Sequence, residues 1–516
     1  MIRLIIGKIK GDGDCVWLSL LLFLLVITAC ENNRQLSYAG LTKEYFQQSS
    51  AEGLKTNSLH VRDEIARLSK ADRDSADADA YARAYYKRGG DFIWIDRYGV
   101  KNRADSLIAF LDTAALNGFK VNKEQLDRVR ENVERVRKLA FADEDAEQMN
   151  EALAQVEYQL TKNFLRYGVG LRYGLTNPER ALNKLDVKDS DSIRVTYREL
   201  FDLKIPVSGS KTYAEALRLV SVDSLSHYLQ AAQPADPAYQ KLKEKLRGAT
   251  GSERELILVN MERLRWRTHD APYKNKEYIV VNIPAYHLWA VRDGEILDMK
   301  VGCGARKTKT PLLNSRIHRM DVNPQWVIPG SIVTKDIIHH AGDGEYFDNR
   351  HYFAQHRKSG KRLYGYDITY SVIASNEYFI IQKGGEGNSL GRIIFRFQND
   401  FAIYLHDTPS RSFFSRENRS VSHGCIRVER PYDLACFLLR GDDDKAEMVR
   451  YSMENDITSE TVDKSMLINS INVDPNVPIF ITYQTLFLTP EGKIERYPDV
   501  YGYDAVLLKE LRRYGL

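Results

Sequence analysis

Cysteine is scarce: five in 516 residues, with no pair spaced as CxxC. A disulfide-stapled scaffold and a zinc ribbon are both excluded. Charge of one sign is lacking too. Lys and Arg number 74 against 70 Asp and Glu, a net +4, too little to hold a nucleic acid by bulk charge. The apolar run near the start, Val16 to Ala29, has 14 residues, short of the roughly 20 that a membrane-crossing helix needs. No internal repeat or low-complexity tract is visible. What is there is the material of folded domains: 43% hydrophobic and 28% charged residues. Thirty Tyr and nineteen Phe can fill cores or line clefts. The length allows about two to four domains.

The first residues read as an address. Arg3, Lys8 and Lys10 precede the apolar run, which has the length of a signal-peptide core. The run ends in Ile27-Thr28-Ala29-Cys30, which resembles the lipobox of bacterial lipoproteins. That resemblance implies a signal peptide over 1–29, cleavage before Cys30 and lipid on its sulfur and new amine. Several acyl chains anchor durably, at about 0.8 kcal/mol per buried CH₂. Asp12 and Asp14 are unusual so close to the apolar run, and a plain signal peptide or short anchor helix is the alternative. Residues 30–50 are polar and suit a tether.

From 51 to 264 the pattern is helical. Leu126, Val129, Val133, Val136 and Leu139 recur at a spacing of three or four, as do Leu153, Val156, Leu160 and Phe164. Residues 214–229 and 239–246 extend it, and no cluster here has a catalytic look. The period changes near Tyr278. Residues 278–283, 286–291 and 295–301 read as strands, the last two joined by an Asp293-Gly294 turn. Strands are also expected at 378–382, 392–397, 401–406, 478–483 and 485–488. The stretch 331–365 is polar, holds His339, His340, His351 and His356, and reads as a flap inserted between strands. The four histidines match no closed metal site, so no metal is expected. A short helix is predicted over 431–440, with Pro at its start and Gly441 beyond its end.

The chemistry gathers in His406-Asp407-Thr408-Pro409-Ser410-Arg411 and Ser422-His423-Gly424-Cys425-Ile426-Arg427. A Cys accepts an acyl group well if it can lose its proton, which calls for a His within reach and a third group to fix the tautomer. His423 lies two residues from Cys425 and His406 nineteen. The distant histidine, at a strand end, is freer to face the thiol and is taken as the base, with His423 in support. Gly424 permits an unusual backbone angle, and N–H groups around Gly424 and Cys425 are candidates for an oxyanion hole. Arg427 is placed to bind a carboxylate or to hold the loop. Cys436, among Leu434, Phe437 and Leu438, is expected in the core. Cys303, between two glycines, is either a packing residue or a thiol near the cleft.

This constellation resembles the signature of the L,D-transpeptidases, the YkuD-type catalytic domain. The likeness extends to Tyr278–Ala285, Lys309-Thr310-Pro311, Asn323–Pro329, Gly387–Gly391, Tyr404–Ser410 and Tyr501–Asp504, which are similar to the large YcbB-type members. The resemblance implies an α+β chain: a mostly helical scaffold domain over 51–264, then a mainly β catalytic domain over 277–516 with a cap near 331–365. It implies Cys425 as nucleophile, His406 as general base oriented by the backbone carbonyl of Asp407, and His423 and Gly424 shaping the site. Arg427, Trp326, Tyr404 and Ser422 are the substrate-binding candidates, although Trp326 and Tyr404 are equally readable as core. The implied reaction is acyl transfer on peptidoglycan stems: D-Ala leaves a tetrapeptide donor, and a second stem's amine takes the acyl group in a 3→3 cross-link. No cofactor and no nucleic acid are implied. Water in place of the amine would make it an L,D-carboxypeptidase, and a non-catalytic wall-binding lipoprotein is the alternative of another class. One departure stands out: residues 246–277 are too short for a separate wall-binding module. The expected location is the periplasmic side of a bacterial membrane, lipid-anchored, with the Gram-negative outer membrane favoured.

Overall fold

The computed structural model describes residues 57–516, apart from 97–98, 139, 142–145, 191–194, 223 and 456–458. The signal peptide, the lipobox Cys30 and the tether lie outside the described residues. The chain divides into two compact units. One holds the described residues up to Leu175 with Ser208–Gln233 and Leu511–Leu516; the other holds Thr176–Val207 and Pro234–Glu510. The helical region expected over 51–264 is thus shared between them.

The first unit is helical. Helix Lys123–Lys138 buries Leu126, Val129, Val133 and Val136, a stripe at helical spacing. Helix Ala146–Asn163 runs on through Phe164–Gly168 into Val169–Tyr173. Leu153, Val156, Leu160 and Phe164 along it are fully buried. A carboxylate, Glu157, is buried among them at 0% exposure.

Helix Gly251–Arg265 belongs with the second unit. It is buried on nearly all sides from Ile257 onward, so it has no solvent face to give it a clear stripe. Asn260 explains the attachment: its side-chain oxygen accepts from the backbone N–H of Thr485 (3.0 Å) and Leu486 (3.1 Å).

The main sheet of the second unit is built from strands β1 (Glu277–Asn282), β2 (His287–Arg292), β3 (Glu295–Gly304) and β4 (Leu313–Val322). A cap inserts between β4 and the rest, with β5 (Trp326–Val327), β6 (Tyr352–His356), β7 (Arg362–Leu363) and β8 (Tyr378–Gln382). The main sheet resumes with β9 (Ile393–Phe397), β10 (Leu405–His406), β11 (Ser420–Ser422), β12 (Ile426–Val428) and β13 (Ser470–Thr482). The order is β11-β3-β12-β10-β9-β4-β13-β1-β2, and β2 pairs back onto β3. Eight strands therefore close into a barrel, which removes their free edges, and β11 branches from β3. The β2–β3 turn has Asp293 and Gly294 both at positive φ (48° and 92°), the geometry of a tight two-residue hairpin.

The flap expected at 331–365 is a folded subdomain with wider limits. Its sheet has the order β7-β6-β8-β5, so strands on both sides of that stretch complete it. Ile328, Val333, Ile337, Phe347, Ala354, Ile368 and Ile380 form its own apolar core. These residues come in ones and twos between polar stretches, which is why the segment reads as polar. His340 stacks on Tyr346 with ring centres 3.7 Å apart, and His356 Nδ1 accepts from the Ser359 backbone N–H.

Candidate active site

Strands β10 and β12 run parallel and adjacent, with Leu405 opposite Ile426 and His406 opposite Arg427. Leu405, Ile426 and Val428 are at 0% exposure and point into the core. Side chains alternate along a strand, so the other face carries Tyr404, His406, Cys425 and Arg427. Nineteen residues of sequence separation between His406 and Cys425 are thereby reduced to neighbouring strands, spaced about 4.8 Å apart.

His406 is 3% exposed, and its Nδ1 lies 2.5 Å from the backbone carbonyl oxygen of Asp407. A proton on Nδ1 donates to that carbonyl, which leaves Nε2 with the lone pair that a base needs. The Leu390 carbonyl also faces the ring. The Asp407 carboxylate is held in turn: Oδ2 accepts from the Arg392 backbone N–H (2.8 Å) and Oδ1 from Arg411 (3.2 Å). Gly391 permits this approach, because a Cβ there would sit 2.4 Å from Asp407 Oδ2.

Tyr404 stands next to the Cys425 thiol and presents both its backbone N–H and its phenol to it. Trp326, from the cap strand β5, neighbours the Tyr404 phenol, and the Tyr404 ring lies 5.9 Å from that of His406. Tyr404 thus stands half-buried beside the thiol, and Trp326, also half-buried, beside Tyr404. Burial pushes the Cys425 thiol up to about 11, and burial followed by the positive charge of Arg427 pushes the His406 imidazole down to about 4. At neutral pH both partners are uncharged. The pair at rest is thiol and imidazole, a combination in which the imidazole can take the thiol proton.

The loop before Cys425 is clasped. Gly424 has φ 126°, a region that favours glycine. Its N–H donates to Ser422 Oγ at 3.1 Å, and Ser422 Oγ donates to the Cys425 carbonyl at 2.5 Å. Ser422, a substrate-binding candidate from sequence, is buried and spends its hydroxyl within the loop. The Gly424 N–H, taken by Ser422, is not available to an oxyanion, so the Cys425 N–H remains from the pair considered. His423 is exposed. Arg427 is half-buried; its guanidinium lies 5.6 Å from the Phe413 ring centre and its Nε is buried without a partner.

Sequence reasoning missed Thr310 and Tyr501 as site residues. Thr310 Oγ1 accepts from the Gly304 N–H and donates to the Gly424 carbonyl, both at 2.9 Å. The Tyr501 hydroxyl donates to the Gly304 carbonyl (2.7 Å) and accepts from the Thr310 N–H (3.1 Å). A Cβ at Gly304 would lie 2.2 Å from the Thr308 carbonyl oxygen, so the β3 end must be glycine. Both residues sit in stretches singled out for resemblance, which was the available signal.

The two other described cysteines separate. Cys303 is fully buried, its thiol pushed up to about 12 by burial. Cys436 is half-buried, short of the core position expected, because its helix turns this position toward Tyr432.

The site is thus a thiol and an imidazole on one wall of a β-barrel, with a cap strand beside them. Residues 276–449 match the L,D-transpeptidase catalytic domain (YkuD) and residues 79–246 match a scaffold domain. The chain carries these two domains in a YcbB-like architecture, helical first and mainly β after. A candidate L,D-transpeptidase of Haemophilus influenzae is 31% identical over 227 residues, 44% of this chain. The chain spans 44% of that relative's length. An L,D-transpeptidase from Mycobacterium smegmatis aligns at 16% identity and TM-score 0.19, over 40% of this chain and 58% of that one. A mutant L,D-transpeptidase of Enterococcus faecium aligns at 12% identity and TM-score 0.18, over 58% of this chain and 75% of that one.

Proposed function

We propose that this protein is a peptidoglycan L,D-transpeptidase that forms 3→3 cross-links through a thioester on Cys425. The observation that carries the reading is the placement of Tyr404, His406, Cys425 and Arg427 on one face of a parallel strand pair, with His406 Nδ1 fixed by a backbone carbonyl. Cys425 sulfur attacks the carbonyl of the third residue of a tetrapeptide stem, and its proton passes to His406 Nε2. The tetrahedral intermediate collapses, the C–N bond breaks, and the imidazolium returns the proton to the departing D-Ala amine. The amine of a second stem then attacks the thioester, giving its proton to His406 and restoring the thiol. The Cys425 N–H is the candidate donor to the oxyanion, a role worth about 3 kcal/mol per donor. Burial, with the positive charge of Arg427 nearby, keeps the imidazole neutral.

We infer too that the protein is lipidated at Cys30 and held on the periplasmic side of a bacterial membrane, the outer membrane being the favoured one; the Ile27–Cys30 string and the polar stretch after it support the lipid anchor. Incubation with a tetrapeptide muropeptide followed by intact-mass measurement tests the catalytic reading. The expected result is a protein adduct equal to the donor less D-Ala, carried on Cys425. Turnover without any such adduct, or an adduct elsewhere, overturns it. Membrane fractionation of Cys30→Ser tests the anchor: release into the soluble fraction is expected, and unchanged fractionation overturns it.

A further inference from the structure

The strands β6 and β7 of the cap form a hairpin of one charge. Residues 350–366 carry Arg350, Arg357, Lys358, Lys361 and Arg362 and no Asp or Glu, in a chain whose net charge over 516 residues is only +4. The turn is ordered: the His356 N–H donates to the Lys361 carbonyl at 2.8 Å and the Gly360 N–H to the His356 carbonyl at 3.0 Å, with Gly360 at φ 70°. Arg357, Lys358, Lys361 and Arg362 are all exposed, and among the described residues they bond only to neutral side chains. The nearest acids in sequence, Asp348 and Asp367, lie outside the hairpin, and Glu377 reaches it through its carbonyl, which accepts from the Arg357 N–H at 2.8 Å.

The cations sit on an aromatic floor. Register places Phe353 beside Ile381, Gln355 beside Phe379 and Arg362, and Val327 beside Ile381. These side chains share the sheet face opposite the cap's apolar core. The Arg357 guanidinium lies 3.9 Å from the Phe379 ring centre, and that of Arg362 lies 4.8 Å from Phe353. Tyr364 continues the face at 53% exposure, next to Phe353. A guanidinium over a ring that donates to one neutral amide, as Arg357 does to Asn376 and Arg362 to Gln355, keeps further N–H groups for a planar anion, and an open tyrosine face suits the C–H face of a sugar ring.

We propose that this face of the cap binds the peptidoglycan strand itself, its arginines and lysines taking stem-peptide carboxylates and Tyr364 packing against an amino-sugar ring. The proposal rests on the catalytic reading above and supplies what the short 246–277 stretch cannot: a grip on the wall outside the thiol site. Charge complementarity selects this occupant, because the polymer repeats free carboxylates on a sugar backbone.

The test uses full-length protein in a Cys425→Ala background, co-sedimented with insoluble peptidoglycan sacculi. Replacing Arg357, Lys358, Lys361 and Arg362 by Gln should weaken sedimentation at least tenfold and flatten its salt dependence. Tyr364→Ser should weaken it severalfold at unchanged salt dependence. With Cys425 restored, the Gln variant should still form the acyl-enzyme on a small soluble tetrapeptide, which establishes that it folds. Equal sedimentation of the parent and the Gln variant overturns the proposal. So does a parent that ignores sacculi and binds anionic phosphatidylglycerol vesicles. Absence of an acyl-enzyme in the otherwise native protein would instead strike the catalytic reading and leave the binding result to stand alone.

Discussion

Two buried titratable side chains, one in each unit, are treated oppositely by their surroundings. Glu157 in the helical unit accepts from the backbone N–H of Ile93 (2.7 Å), Trp94 (2.8 Å) and Ile95 (3.2 Å) and from the Tyr86 hydroxyl (2.6 Å). Every lone-pair direction is used, and a loop is pinned to a helix by one carboxylate. His406 is nearly as buried but has a single short bond, at Nδ1, with only the Leu390 carbonyl otherwise facing the ring. A satisfied buried group builds structure, whereas a buried group with spare capacity beside a nucleophile is a reagent.

Substitutions can break that comparison. The largest expected effect is at Cys425: Cys425→Ala should give no acyl-enzyme by intact mass, while circular dichroism and thermal melting stay as in the parent. His406→Ala should lower the acylation rate roughly 10²–10⁴-fold, and a loss confined to His423→Ala would reassign the base. Glu157→Ala should do the reverse, leaving several donors unsatisfied and costing on the order of 3 kcal/mol in denaturant titration. The acylation rate per folded molecule should not change; a large change would make Glu157 part of the catalytic machinery.

Acid should separate the two groups further. His406 titrates near 4 in the fold against an ordinary 6.5. The unfolded chain therefore binds the proton first, and stability is lost as pH falls from 6.5 toward 4, by roughly 3 kcal/mol. His406→Gln should remove that part of the slope. The acid limb of kcat/KM should lie near 4, with a plateau through neutral pH; a limb at 6.5 would mean the imidazole is not desolvated as the fold implies. The smallest effect is at Tyr404→Phe, where loss of the phenol beside the thiol should slow acylation by about tenfold or less.

The first strands of the barrel announce themselves in sequence, because β1 and β2 carry β-branched and aromatic runs and an Asp-Gly turn leads on to β3. Strand β4 does not. Leu313–Val322 reads Leu-Asn-Ser-Arg-Ile-His-Arg-Met-Asp-Val, and its buried set of Leu313, Ile317, Met320, Asp321 and Val322 follows no strict alternation. A register shift at Arg396/Phe397 on its β9 neighbour, and another on its β13 neighbour between Asn472 and Val477, account for the broken period. Cys425 and His406 were legible because their residue types are uncommon and the motif is long. The Thr310–Tyr501 clasp was not, since a hydroxyl bonding to two backbone groups leaves no spacing rule. The cap's core was hidden for a similar reason: single apolar residues on short helices and strands give no period long enough to see.

The place of β13 has a consequence for the order in which the chain is made. It is the last strand of the barrel in sequence, Ser470–Thr482, yet it sits between β4 and β1. His406, Cys425 and strand β12 have all been synthesised by residue 428, but the ring is then still open by one strand. Barrel closure waits for a pairing with β1 that spans some two hundred residues, 279 to 479, the kind of long-range contact that forms late. A nascent chain therefore carries its thiol as an ordinary cysteine on an unfinished sheet, and the desolvated thiol–imidazole pair comes into being only when the C-terminal segment has been delivered.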